Sequence, residues 1–142
     1  MKRCTGTTEF CVLSKTENVR VIGSWLKNFC EKRDVGADEL EDIIIATDEA
    51  VTNIMMHGYK GQPDGLIEIR CQVRERTVEL RIRDSGTTFV MPCIDSLVSK
   101  KREEYLVKGG YGLILMHRFM DGVEFRQDGR SGKNVLLMQK NF

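Results

Sequence analysis

The sequence predicts an α+β fold, a two-layer α/β sandwich in which a mainly antiparallel sheet is covered on one face by helices. Three observations carry this. Apolar residues recur at helical spacing through the first part of the chain, from Val19 to Cys30 and again from Leu40 to Met55. Strict alternation of apolar and polar residues follows in paired short runs, each pair joined by a turn rather than by a crossover helix. Helices therefore cluster first and hairpin strands later, the order of a sandwich rather than of a parallel sheet.

The 142 residues are expected to form one domain over 1–142, long enough to bury a core without staples. A hydrophobic content of 41% with 30% charged residues is that of a soluble globular protein. No apolar run approaches a membrane span, and the N-terminus lacks the basic-then-apolar pattern of a secretion signal. The expected setting is the cytoplasm, without membrane contact. A net charge of +1 argues against nucleic acid as the main ligand, and the longest basic run, Lys100-Lys101-Arg102, is balanced at once by Glu103-Glu104. Five cysteines at unrelated spacings, beside only two histidines, suggest neither a disulfide framework nor a zinc site; they are expected to be reduced and mostly buried.

Taken in order, residues 8–13 have strand composition, and Ser14 three places before Glu17 reads as a capping box opening a helix. Val19, Ile22, Leu26, Phe29 and Cys30 give that helix one apolar stripe up to about Arg33, with Trp25 and Phe29 read as packing residues. Gly36 breaks the chain. The helix that follows, from Leu40 to about Gly58, has two unusual faces. Ile43, Ile44, Thr47, Val51, Ile54 and Met55 form a core stripe with Leu40. On the other side Glu49, Asn53 and His57, four residues apart, make one row of roughly 12 Å among Ile45, Ala46 and Met56. Two readings of that face stand open: a polar contact with a protein neighbour, or the wall of a pocket.

Gly61-Gln62-Pro63-Asp64-Gly65 is a turn. Beyond it Ile67, Ile69, Cys71 and Val73 alternate with polar residues, and after a short turn at 74–76 Val78, Leu80 and Ile82 do the same. Side chains two apart share a face, so Asp84 continues the buried set while Arg83 points to water. A carboxylate aimed inward needs donors; they come either from the Ser85-Gly86 turn or from a ligand amine. Residues 87–108 carry no sustained pattern, apart from a charged stretch at 94–107 that suits a surface helix, and a connection of this length suits a lid. It ends in Lys108-Gly109-Gly110-Tyr111-Gly112, at once followed by the helix pattern Leu113, Ile114, Met116, Phe119, Met120, with His117 read as packing. Glycines before a helix let backbone N–H groups approach an anion. Residues 123–127 and 135–139 read as a last hairpin across the turn 128–132. The Leu40 helix, the Asp84 strand end and the glycine-led helix can then border one pocket, with an acceptor for an amine, donors for phosphates, and an amide and a carboxylate for a hydrated cation and a proton. Those are the requirements of Mg-ATP.

Glu49-Ala50-Val51-Thr52-Asn53-Ile54-Met55-Met56-His57-Gly58-Tyr59, then Arg83-Asp84-Ser85-Gly86, then Gly110-Tyr111-Gly112 resemble the N box and the two glycine boxes of the GHKL superfamily of histidine kinase-like ATPases. The likeness runs from about Leu40 to the end and is strongest to the anti-sigma factor serine/threonine kinases of the RsbW/SpoIIAB type. It implies a Bergerat-type ATP-binding fold with ATP and Mg2+ as cofactors and an ATP lid at about 87–109. It implies that Asn53 binds the Mg ion, that Glu49 is the catalytic base, and that Asp84 takes the adenine amine with Gly86 admitting the base. His57, Lys108, Gly110, Tyr111, Gly112 and Leu113 complete the implied ATP-binding set. The implied activity is phosphorylation of a serine on an anti-anti-sigma protein, with a sigma factor as the other partner and a homodimer as the working unit. The alternative is a non-catalytic ATP-binding module that sequesters its partner; the catalytic domain of a histidine kinase is disfavoured, because no dimerising helical hairpin with a phospho-accepting histidine precedes the motifs. Two departures stand out. Thr88, followed by Phe89 and later Pro92, replaces a common second glycine, leaving the lid geometry open. Asn134, after Gly132-Lys133, stands where a threonine is common, which gives little ground for expecting polar contacts from this end.

Overall fold

The computed structural model of the chain describes residues 5–87 and 111–142. The expectations for the lid beyond Thr87, for a helix at 94–107, and for Thr88, Phe89, Pro92, Lys108 and Gly110 lie outside the described residues. In chain order come β1 (Gly6–Leu13), α1 (Asn18–Glu31), α2 (Ala37–Asn53), a π turn (Ile54–Gly58), β2 (Leu66–Arg74), β3 (Thr77–Asp84), α3 (Tyr111–Phe119), β4 (Gly122–Gln127) and β5 (Asn134–Asn141). The sheet order is β1-β2-β3-β5-β4 and each neighbouring pair is antiparallel. The expected two-layer α+β sandwich is what forms.

Alternation fixes which face is covered. Ile67, Ile69, Cys71 and Val73 of β2, Val78, Leu80 and Ile82 of β3, and Leu136 and Met138 of β5 all turn toward the helices. They meet Ile22, Leu26 and Cys30 of α1, Ile43, Ala46 and Val51 of α2, and Met116 of α3. Helix α2 packs against both α1 and α3. The opposite face is wet and charged. There Lys133 sits 2.6 Å from Glu68, and Arg83 bridges Glu68 at 3.7 Å and Asp128 at 3.9 Å. The Lys133 ammonium, before any other group, holds the Glu68 carboxyl below the usual carboxylate range.

The hairpin between β2 and β3 closes through two residues, since Arg74 faces Thr77. Glu75 and Arg76 adopt φ of 48° and 65°, the doubly left-handed turn whose twist matches the strands. Neither is glycine, so the turn is strained. Offsetting contacts come from the C-terminus: the Arg76 Nε donates to the Phe142 main-chain oxygen at 2.7 Å, and the Phe142 N–H donates to the Arg76 carbonyl at 2.8 Å.

Two local expectations are corrected. Ser14 is no helix cap. Glu17 occupies the N-cap without a side-chain hydrogen bond, and Ser14 is instead buried, donating to the Gln62 carbonyl at 2.5 Å and accepting from the Gly65 N–H at 3.0 Å. A tertiary partner outcompeted the local one. The long second helix does not stay α-helical to Gly58: its last turn widens to a π turn, with the Tyr59 N–H donating to the Ile54 carbonyl five residues back at 2.8 Å. Cys30 and Cys71 are buried as expected, whereas Cys11 is exposed on the outer face of β1. Trp25 packs, as expected, stacking on Phe10 with ring centroids 5.1 Å apart.

Replacing Ser14 by alanine leaves the half-buried Gly65 N–H without its acceptor. Urea denaturation should show a loss of roughly 1–3 kcal/mol; no loss would mean that Ser14 is not what ties β1 to the 61–65 loop.

Candidate functional site

The cleft lies at one end of the helical layer, between α2, its π turn, α3 and the inner ends of β3 and β5. Ala50, Asn53, Ile54, His57, Gly58, Asp84, Thr87, Leu113, Met116, Phe125, Asn134 and Leu136 line it. The sequence brings these together by two periodicities. Helical spacing sets Ala50, Asn53 and Ile54 on the pocket side of α2, while period two sets Asp84 at the inner end of β3 and Asn134 and Leu136 on the inner face of β5.

The closed end is built around Asp84, which is only 5% exposed, as its parity required. Its Oδ1 accepts from the Gly86 N–H at 2.9 Å and from the Asn134 Nδ2 at 3.0 Å. The turn-capping reading of this residue holds through one oxygen, and the residue also lines the cleft. Asn134 also donates to the Gly86 carbonyl at 3.0 Å. Polar contacts from this end, which the departure from threonine had given little ground to expect, are thus central. Asn134 obeys the same inward parity as Leu136 and Met138, and that was the signal available.

The backbone approaches itself closely here. A methyl group on Gly86 would lie 2.6 Å from both the carbonyl carbon and the oxygen of Gly58, so the residue must be glycine. The Thr87 N–H donates to that same carbonyl at 2.8 Å. Tyr59, next in the chain, donates its hydroxyl to the Leu66 carbonyl at 2.5 Å and accepts from the Ser85 N–H at 2.8 Å. Burial first, with help from the Asp84 charge and against the Ser85 N–H, holds the Tyr59 hydroxyl protonated above the ordinary phenol range. Beneath its ring lies Gly65, where any side chain would collide with the aromatic carbons.

At the other end, α3 begins at Tyr111, and Gly112 and Leu113 are buried against α2. A methyl on Gly112 would stand 2.5 Å from the Glu49 Oε2 and 3.5 Å from the Asn53 Nδ2. Glu49 and Asn53 are therefore gathered at the first turn of α3, where unsatisfied N–H groups and the helix dipole favour negative charge. Glu49 stands one turn back from the cleft-lining residues. Beside it Asp48 is half-buried, and burial first, then the Glu49 charge, raises its pKa. His57 is exposed at the cleft. The π turn rotates less per residue than an α-helix, so His57 falls short of a full turn past Asn53 rather than continuing the row. His117 does not line the cleft; burial depresses its pKa, in keeping with packing.

Chemically, the closed end offers carboxylate and amide oxygens to a hydrogen-bond donor. The walls between Ile54, Leu113, Met116, Phe125 and Leu136 are apolar and suit a flat ring. The Asn134 Oδ1 is buried without a hydrogen-bond partner among the described residues, an acceptor that a bound amine would satisfy. Among the described residues no group of three or more His, Cys, Asp or Glu is placed to hold a metal ion. A cation here would take one protein oxygen and complete its shell from phosphates and water, the usual habit of Mg2+.

Residues 12–140 match the histidine kinase-like ATPase domain. An anti-sigma F factor of Clostridium beijerinckii is 30% identical over 130 residues, 90% of each chain. The serine-protein kinase RsbW of Bacillus licheniformis is 32% identical over 141 residues, covering 96% of this chain and 87% of that one. In structure, a chain of the SiaB-SiaC complex of Pseudomonas aeruginosa superposes with a TM-score of 0.63 at 13% identity, over 95% of this chain and 89% of that one, a likeness of fold. With the same domain matched across nearly its whole length and relatives of this identity aligned end to end, the chain belongs to the histidine kinase-like ATPase family, in the branch of the anti-sigma F factors and the RsbW serine-protein kinases.

Proposed function

We propose that this chain is an ATP-dependent serine/threonine protein kinase that also serves as an anti-sigma factor, phosphorylating an anti-anti-sigma protein in a partner-switching pathway. One observation carries the reading: a single cleft is lined by Asp84 and Asn134 at one end and by Asn53 at the other, with Glu49 one turn back beside Asn53 at the first turn of α3. The names of the relatives, an anti-sigma F factor and a serine-protein kinase, support it. A homodimer and a sigma factor as second partner are carried over from the resemblance, and a cytoplasmic setting from the sequence pattern; among the described residues no helix is long and apolar enough to cross a membrane.

In this reading Asp84 accepts the adenine amine, and Gly86, bare of a side chain, lets the base approach. The first turn of α3, with Gly112 and Leu113 and, from the resemblance, Lys108, Gly110 and Tyr111, holds the phosphates, with His57 beside them. The side-chain oxygen of Asn53 would hold Mg2+, which when bound would neutralise phosphate charge. Glu49 takes the proton of the serine hydroxyl as its oxygen bonds to the γ-phosphorus and the bond to ADP breaks. A carboxylate kept at this place favours catalysis over a purely sequestering module, which needs no base there.

Incubation with labelled ATP and candidate anti-anti-sigma proteins should yield phosphoserine on one of them. ADP binding without transfer to any candidate would favour the sequestering alternative. Glu49→Ala should cut transfer by about 10² to 10⁴ while ADP affinity stays nearly unchanged; parallel loss of both would contradict the assigned roles.

Asp84→Asn tests the base end. The new amide keeps its oxygen toward Gly86 and Asn134 and turns its NH2 into the cleft, where it opposes an amine. The thermal midpoint should hold, while calorimetry should show ADP affinity falling by at least roughly tenfold. Retained affinity would remove Asp84 from the site.

A further inference from the structure

We propose that Asn134 is a specificity-determining residue whose Oδ1 accepts one hydrogen of the exocyclic amine of the bound base while Asp84 accepts the other, an inference that rests on the nucleotide reading of the cleft. The orientation of the amide is set by chemistry. Its nitrogen lies 3.0 Å from two acceptors, the Asp84 Oδ1 and the Gly86 carbonyl, and turning the group over would bring three oxygens together. Both N–H bonds are thereby spent inside the protein. What remains is the Oδ1, buried and without a hydrogen-bond partner among the described residues, on a residue that lines the cleft and is 3% exposed.

Register places this oxygen next to Asp84. Asp84 and Asn134 are directly opposed on β3 and β5 and share the inner face. The Asp84 Oδ1 already takes two donors, from Gly86 and Asn134, so the carboxylate meets a ligand with its remaining capacity. The base edge of the cleft is consequently lined with acceptors from two strands. An amino group, with two hydrogens, satisfies both; a carbonyl oxygen in the same place would face acceptors alone. A threonine hydroxyl in place of Asn134 is able to serve Asp84 as donor but has no amide oxygen to offer.

The test compares ADP with purine riboside 5′-diphosphate, which lacks the amine, by calorimetry on the full chain. The proteins are the wild type, Asn134→Leu and Asn134→Thr. Leucine removes both functions of the amide, and threonine, which keeps a donor for Asp84, serves if the leucine variant fails to fold. Loss of the amine should cost the wild type a further three- to tenfold, roughly, beyond what it costs either variant. Equal penalties in wild type and variants, with ADP still bound, would overturn the role of Asn134 and leave the nucleotide reading standing. Failure of the wild type to bind ADP at all would overturn that reading, and the inference with it.

Discussion

The backbones of Gly58 and Gly86 touch, and nearly everything about the cleft depends on that contact. One glycine ends the π turn and the other follows β3, so the point where they meet joins the helical layer to the sheet. A side chain on Gly86 would have to displace main-chain atoms, which cannot swing aside as a rotamer does. The contact is reinforced from both directions. The Thr87 N–H takes the Gly58 carbonyl, the Tyr59 hydroxyl spans the Ser85 N–H and the Leu66 carbonyl, and Ser14 fastens the intervening loop to β1. The π turn fits this arrangement: an extra residue in the last turn delivers Gly58 and Tyr59 to the strand end without interrupting the helical hydrogen bonds before it.

The two ends of the cleft consequently rest on different supports. Asp84 and Asn134 sit on paired central strands, held by ladder hydrogen bonds and by the glycine contact, so their positions are set by register. Glu49 and Asn53 meet Gly112 across a helix-helix contact, and α3 enters the fold straight from the segment 88–110. On the proposed reading, recognition of a base and handling of phosphates are thereby separable. The first would stand on the sheet and the second on how α3 packs against α2.

How much of this could be read from the sequence depended on whether a signal was local and periodic. Asp84 was legible because period two in β3 forced it inward, whatever its charge. That Glu49 and Asn53 share one face of α2 was legible from their spacing. Asn134 obeyed the same parity but stood where a different residue is usual, and its type drew attention away from its position. Ser14 misled because a capping box is a purely local pattern, and the Gly65 N–H and Gln62 carbonyl that claimed it lie about fifty residues away in sequence. The π turn left no trace in the periodicity: Ile54 and Met55 face inward in either winding, and only the backbone bond from Tyr59 to Ile54 distinguishes them. What the sequence reading made of Lys108, Gly110 and the stretch before them falls outside the described residues.

A buried carboxylate beside a buried amide would ordinarily weaken a small core, since each polar group taken from water without a partner costs roughly 1–3 kcal/mol. Here the cost is limited by geometry. Gly86 donates to Asp84 and Asn134 donates to both Asp84 and Gly86, so the amide hydrogens of the set are used within it. Because Asp84 and Asn134 are cross-strand partners, the register that buries Leu80 and Ile82 against the helices is the register that brings the pair together. A slip of one residue would turn the core face outward and part the two at once. The register that keeps the core therefore also keeps the pair together, and the Asn134 Oδ1 is the acceptor that, on the proposed reading, the fold would offer to a ligand.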